Sequence, residues 1–381
     1  MKRLGTAVML CLFFTVTAQA AELPSINAKS AILMASDGTV LYESNADESL
    51  PPASVTKIMT MLLTMEASDD GRVTLEDKIT ASAHACSMGG TQIYLKEGEQ
   101  LTLDEMLKSI AVGSANDAAV AVAEHLGGSE DGFVSMMNER AKELGCTGTT
   151  FVNPNGLDTD GEQTLTTARD IALMSQELMK HKKIFEYTTI WMDTVRNGTF
   201  QLANTNKLLR QYDGLTGLKT GYTSTAGFCI SATAKRDNME LIAVVMAEPD
   251  KESRNADITA MLNYGFAGYT MAPILQDGDT LPTLPVSLGK KQEIALELSD
   301  DTPVLLEKTK AANVGYKLNL DSSIAAPVEA GTKVGEIVLT ADGEEIARRS
   351  ILTAETAEKK GISDIYRDLL RVLLMKQEQT A

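Results

Sequence analysis

From Ile58 to Met65 the chain is apolar apart from Thr60 and Thr64, and a single lysine, Lys57, stands at the head of the run. A surface helix needs a polar face, so this segment reads as a helix buried on most sides, with its lysine buried too. Ser54 follows Pro51-Pro52-Ala53, a stretch disfavoured for helix, which puts the serine at or near the helix N-terminus on the same face as Lys57. One reading of the pair is a capping serine and a lysine whose stem packs inward while its amine reaches water. The other is chemical. Desolvation lowers a lysine's pKa, and its neutral amine can then take the proton of a neighbouring hydroxyl.

The first twenty residues, MKRLGTAVMLCLFFTVTAQA, have a basic start, an apolar centre from Ala7 to Val16 and small residues at Ala18 and Ala20. This is the pattern of a secretory leader cleaved after Ala20, with a centre too short to span a bilayer. Removing residues 1–20 leaves 361, enough for two or three domains with a sizeable core. Cys86, Cys146 and Cys229 remain, an odd and widely spaced set that leaves room for one bridge but not a disulfide scaffold.

The formal charge of −17 becomes −19 once Lys2 and Arg3 are lost, and no basic run offers a nucleic-acid surface. His84, His125 and His181 are scattered and form no zinc-binding spacing, so neither a metal nor another cofactor is expected. A Ser-His-Asp triad is disfavoured on the same ground.

Ala31 to Ser44 is two short apolar runs around Ser36-Asp37-Gly38, a hairpin signal. Leu103, Met106, Leu107 and Ile110 keep helical spacing, Gly113 interrupts, and Asp117 to Leu126 is helical again. Ser114 and Asn116 thus fall on a tight turn between helices, either as caps or as a hydroxyl and an amide presented beside a site. Phe228 to Ala234 and Leu241 to Ala247 read as strands joined at Arg236-Asp237-Asn238, and Lys219-Thr220-Gly221 lies on a neighbouring strand edge. There an ammonium and a hydroxyl suit a carboxylate, and the glycine lets a ligand backbone approach.

Taken in order, Ser54-x-x-Lys57, Ser114-Ala115-Asn116 and Lys219-Thr220-Gly221 resemble the three motifs shared by penicillin-binding proteins and serine β-lactamases. With PPASVTKIMT, GSANDAA, FVNPNGLD, GLKTGYT, a β-rich C-terminal region and an amphipathic end, the chain is similar to the low-molecular-mass D-alanyl-D-alanine carboxypeptidases. That resemblance implies an α+β fold, an antiparallel sheet flanked by helices with the site at their junction. It implies Ser54 as nucleophile on the penultimate D-alanine carbonyl of a peptidoglycan stem peptide, Lys57 as its base, and Ser114 as proton relay to the leaving D-alanine. Asn116 would orient the substrate amide or Lys57. Lys219 and Thr220 would hold the terminal carboxylate, and the backbone N–H groups of Ser54 and Tyr222 would form the oxyanion hole. β-Lactams would acylate Ser54 as covalent inhibitors.

There are departures from the family. Tyr222 stands where many relatives have histidine after the Lys-Thr-Gly motif, and Thr205 and Lys207 stand near a position that is basic in some of them. Glu162-x-x-Leu165 partly echoes a β-lactamase motif, but Thr166 replaces its asparagine, so Glu162 reads as a solvated loop carboxylate. A serine β-lactamase and a non-turnover sensor are the alternative functions.

Beyond about Tyr269 the segments QEIALELS, PVLLEK, YKLNLD and GEIVLTADGEEIARRSIL alternate in period two with no helical stretch. The expected organisation is a leader over 1–20, a peptidase domain over 21–270, a small β domain over 271–355 and a tail over 356–381. In that tail Ile362, Ile365, Tyr366, Leu369, Leu370 and Leu373 recur on one helical face, a pattern that suits lying on the outer face of the cytoplasmic membrane.

Overall fold

The computed structural model describes residues 23–378, save 160, 276, 277 and 312, and the side chains of the last helix as far as Leu370. The expected leader lies outside the described residues. Contacts divide the chain into two units, Ala21–Ala267 and Gly268–Ala381.

The first unit is built on a five-stranded antiparallel sheet. Its strands are β1 (Ser30–Ala35), β2 (Val40–Ser44), β3 (Leu215–Thr223), β4 (Gly227–Arg236) and β5 (Met239–Glu248), in the spatial order β2-β1-β5-β4-β3. The central strands are buried on both faces, so β5 reads Leu-Ile-Ala-Val-Val-Met without a polar alternation. Ile32, Met34, Ile242 and Val244 face one core, which they share with α1 (Lys57–Asp69) and α4 (Ala168–Lys180). The other face is covered by α5 (Lys251–Gly268), and Gly265 comes so near that a Cβ there would stand 2.6 Å from Leu241 and 3.2 Å from Leu33. Sequence reading missed α5, whose first turns, Lys-Glu-Ser-Arg-Asn-Ala-Asp, look like a polar loop.

Between the early hairpin and β3 lie the helices that bring motifs to the sheet. A 3-10 turn (Ala53–Thr56) runs straight into α1. Of the thirteen residues of α1, only Glu66, Ser68 and Asp69 escape burial. Helices α2 (Leu103–Ala111) and α3 (Asn116–Gly127) follow, broken at Gly113 as the spacing predicts, with Thr102 and Glu105 closing a capping box on α2.

The second unit is mostly strand. Its largest sheet joins β6 (Leu296–Leu298), β7 (Val314–Leu320), β8 (Lys333–Ala341) and β9 (Glu344–Thr353), the last two turning at Asp342-Gly343. Ile337, Leu339 and Ile351 centre its own small core. The expectation of no helix needs one correction, because Lys308–Ala311 forms a single helical turn. Backbone pairing continues as far as Lys360: Lys359 bridges Gly289, and the Lys360 N–H donates to the Leu288 carbonyl. A helix, α6 (Ile362–Glu378), follows, with Ile362, Ile365, Tyr366, Leu369 and Leu370 exposed. Among the described residues no helix is long and apolar enough to cross a membrane.

Candidate active site

The Ser54 turn is forced into shape from outside. Ala53 sits at φ 48°, and Gly156 packs on it so tightly that a Cβ at Gly156 would lie 1.9 Å from the Ala53 carbonyl oxygen. Neither the turn nor α1 has a side-chain cap, so Ser54 is left partly exposed with its hydroxyl free for other work.

Lys57, one turn on, is fully buried. Burying Ile58, Met59, Met61, Leu62, Leu63 and Met65 contributes about 1.5–3 kcal/mol each. That sum exceeds the several kcal/mol lost by taking one ammonium out of water, so the helix can carry the lysine inside. Its Nζ donates to Asn116 Oδ1 at 2.6 Å and to the Asn155 carbonyl at 2.7 Å, and lies 2.9 Å from Ser54 Oγ. Desolvation, then the charge of Lys219, hold its pKa well below the ordinary lysine value, while Asp117 opposes them. A neutral amine has two N–H groups, which match the Asn116 and Asn155 oxygens, and one lone pair, which is left for the Ser54 hydroxyl proton.

Ser114 and Asn116 are not caps, since Ala115 holds the cap position of α3. Ser114 is 5% exposed and in the left-handed region at φ 62°. Asn116 is tied on both sides: its Nδ2 donates to the Gly89 carbonyl at 2.8 Å and its backbone N–H to the Thr91 carbonyl at 2.7 Å. Asp117, fully buried, accepts from the backbone N–H groups of Ile93 and Leu95 at 3.1 and 3.0 Å and so fixes the segment after Thr91 against α3.

The edge strand β3 closes the other side. Lys219 is buried, its Nζ donates to the Thr220 carbonyl at 2.9 Å, and desolvation, then Arg254, push its pKa down to about 7. The Thr220 and Thr205 hydroxyls are 2.7 Å apart. Gly221 is needed for a reason that sequence reading did not give: a Cβ there would lie 2.5 Å from the Pro52 carbonyl oxygen and 3.1 Å from the backbone nitrogens of Ser54 and Val55. The close approach is to the chain's own Ser54 turn. Tyr222 is 57% exposed and stacks on Phe228 at 4.2 Å.

Ser54, Ser114, Thr205, Thr220, Tyr222 and Arg254 line one cavity of about 500 Å³. Arg254, on α5, is 4% exposed, and its guanidinium donates to Asn255 Oδ1 at 2.9 Å. Nothing in the sequence marks it, because the helix that carries it opens with polar residues that show no apolar face. Glu162 stays exposed on its loop, and Cys86, Cys146 and Cys229 are free thiols.

Residues 16–250 match the peptidase S11 family, described as D-alanyl-D-alanine carboxypeptidase. The chain belongs to this family. It is a serine-type D-alanyl-D-alanine carboxypeptidase and a penicillin-binding protein, and the β-lactamase and sensor readings are not favoured. Residues 269–359 match the C-terminal domain of penicillin-binding protein 5. The chain is 44% identical to D-alanyl-D-alanine carboxypeptidase DacF of Bacillus subtilis over 88% of its length and 87% of that protein. It is 33% identical to DacC of Escherichia coli over 90% and 87%. Among solved structures it resembles penicillin-binding protein 5 of Haemophilus influenzae, with TM-score 0.74 and 28% identity, covering 89% of this chain and 99% of that one.

Proposed function

We propose that this carboxypeptidase removes the terminal D-alanine of peptidoglycan stem peptides through an acyl-enzyme on Ser54. One observation carries the reading: a fully buried, pKa-lowered lysine 2.9 Å from a serine hydroxyl. Neutral Lys57 takes the Ser54 proton as Oγ attacks the penultimate carbonyl. The oxyanion forms against the backbone N–H groups of Ser54 and Tyr222. Ser114 gives its proton to the leaving nitrogen and is reprotonated by the Lys57 ammonium, so that Lys57 is neutral again as free D-alanine departs. Water then attacks the ester as neutral Lys57 takes its proton, and the Lys57 ammonium returns that proton to Ser54 Oγ as the acid product leaves. Asn116 holds the base and, through its ties to Gly89 and Thr91, sets the cavity wall.

The terminal carboxylate is held by the Thr220 and Thr205 hydroxyls, with the Arg254 guanidinium at the same cavity and the buried Lys219, whose charge also acts on Lys57, adding positive charge from the same strand. An Arg-carboxylate contact in a partly desolvated site is among the stronger polar interactions, which suits the recognition of a free C-terminus. β-Lactams occupy the same position and leave a slowly hydrolysed ester on Ser54.

The setting is extracytoplasmic: residues 1–20 act as a secretory leader. We divide the mature chain into a peptidase domain over 21–270, a β domain over 271–355 and a tail over 356–381. The exposed apolar face of α6 lies on the membrane surface. The test is release of free D-alanine from a diacyl-lysyl-D-alanyl-D-alanine peptide, together with one penicilloyl adduct on the Ser54 peptide. Ser54→Ala abolishes both; an adduct elsewhere, or D-alanine release that survives the substitution, overturns the assignment.

A further inference from the structure

Besides Arg254, two more cations, Lys207 and Lys251, line the cavity, and among the described residues no carboxylate side chain does. In a chain of net charge −17 that is an unusual concentration of positive charge. Lys207 opens a 3-10 turn whose start is fixed by Asn206, which accepts from Leu208 N–H and donates to the Gly217 carbonyl, both at 3.2 Å. Lys251 is the first residue of α5. Both are exposed, and neither has an ion pair among the described residues.

A leaving D-alanine carries one carboxylate, for which Thr205, Thr220 and the buried Arg254 suffice. Its methyl side chain gives the two lysines nothing to bind. We infer that Lys207 and Lys251 form a second anion subsite, so that the enzyme favours stem peptides whose leaving D-residue carries a side-chain carboxylate. The inference rests on the function proposed above. The chemistry is unchanged: the D-Ala–D-Xaa amide bond breaks as the acyl group passes to Ser54 Oγ, the D-amino acid leaves with a proton on its nitrogen, and water cleaves the ester.

The test compares kcat/KM of the full chain at low salt on three diacyl-lysyl-D-alanyl peptides, ending in D-Ala, D-Glu or D-Gln. D-Gln matches D-Glu in shape without its charge. The D-Glu peptide is expected to exceed the D-Gln peptide about three- to tenfold, the size two exposed ion pairs can supply. That ratio should fall towards one in Lys207→Gln/Lys251→Gln and at about 0.5 M salt, where exposed charges are screened. The ratio is read only in preparations that penicillin still labels, which separates lost preference from lost fold. A ratio near one in the unmodified enzyme, or one that survives the double substitution, overturns the subsite while D-alanine release stands. Release from none of the three peptides overturns the functional reading itself, and the subsite with it.

Discussion

Gly221 on the edge strand lies against the backbone of Ser54, with only 3.1 Å between the Ser54 nitrogen and the place where a Cβ would stand. The strand that carries Lys219-Thr220-Gly221, to which we assign the carboxylate, is therefore also the wall that sets the turn of Ser54. Gly221→Ala should displace that turn. We expect penicillin acylation to slow by about tenfold or more, since small misplacements of reacting groups carry large costs. Stopped-flow labelling measures this, and an unchanged rate would show that the turn yields without consequence.

Lys57→Arg tests whether Lys57 is the base. Arginine keeps the positive charge near Ser54 Oγ but does not deprotonate, so acylation should slow by roughly 10²-fold or more, as should Lys57→Ala. Normal acylation by the arginine variant would assign the base to another group.

The pH profile follows from the direction of the Lys57 shift. The active form is the neutral amine, so the acylation rate should rise with pH through the lowered pKa and fall as acid returns the proton. Asn116→Asp would put a carboxylate in place of the amide oxygen 2.6 Å from Nζ. That favours the ammonium and should move the limb to higher pH by about one unit or more. A profile that stays in place would mean that the limb belongs to a different group.

Stability should also depend on pH, through Glu248. This carboxyl is fully buried at the end of β5, and burial, then Asp257, raise it to about 8. Between the ordinary carboxylate range and about pH 8 the folded chain keeps a proton that the unfolded chain has lost, so stability from this group falls as pH rises through that window. Glu248→Gln should flatten the dependence of Tm on pH between about 5 and 9. An unchanged slope would exclude Glu248 as its source.

Truncation after Gly361 keeps the Lys359 and Lys360 pairings of the β unit and removes α6. D-alanine release from a soluble peptide should persist while the protein leaves the membrane fraction. Full retention by membranes would refute the role given to the helix.

The features legible in sequence are those in which local pattern and burial agree. The hairpin around Asp37-Gly38, the buried helix after Ser54, the break at Gly113 and the turn at Arg236-Asp237-Asn238 each follow from residues a few positions apart. The parts not seen depend on partners far along the chain. Helix α5 begins with polar residues, and Arg254 has its meaning only from the cavity it faces, whose strands and turns lie 26 or more residues away. The Asn155 carbonyl that takes a hydrogen bond from Lys57 is a backbone atom, and no side-chain pattern announces it. The Lys-Thr-Gly pattern marks Gly221, but the object it accommodates is the chain itself, a fact that only the tertiary approach reveals.

Ser114 occupies the left-handed backbone region at φ 62°, where glycine is at ease and a serine is held at a cost. Ser114→Gly should therefore make the fold more robust while taking away the hydroxyl. A laboratory population of this protein selected for survival of heating, with no demand for turnover, would be drawn toward glycine at this position and would drift into a tougher but silent protein.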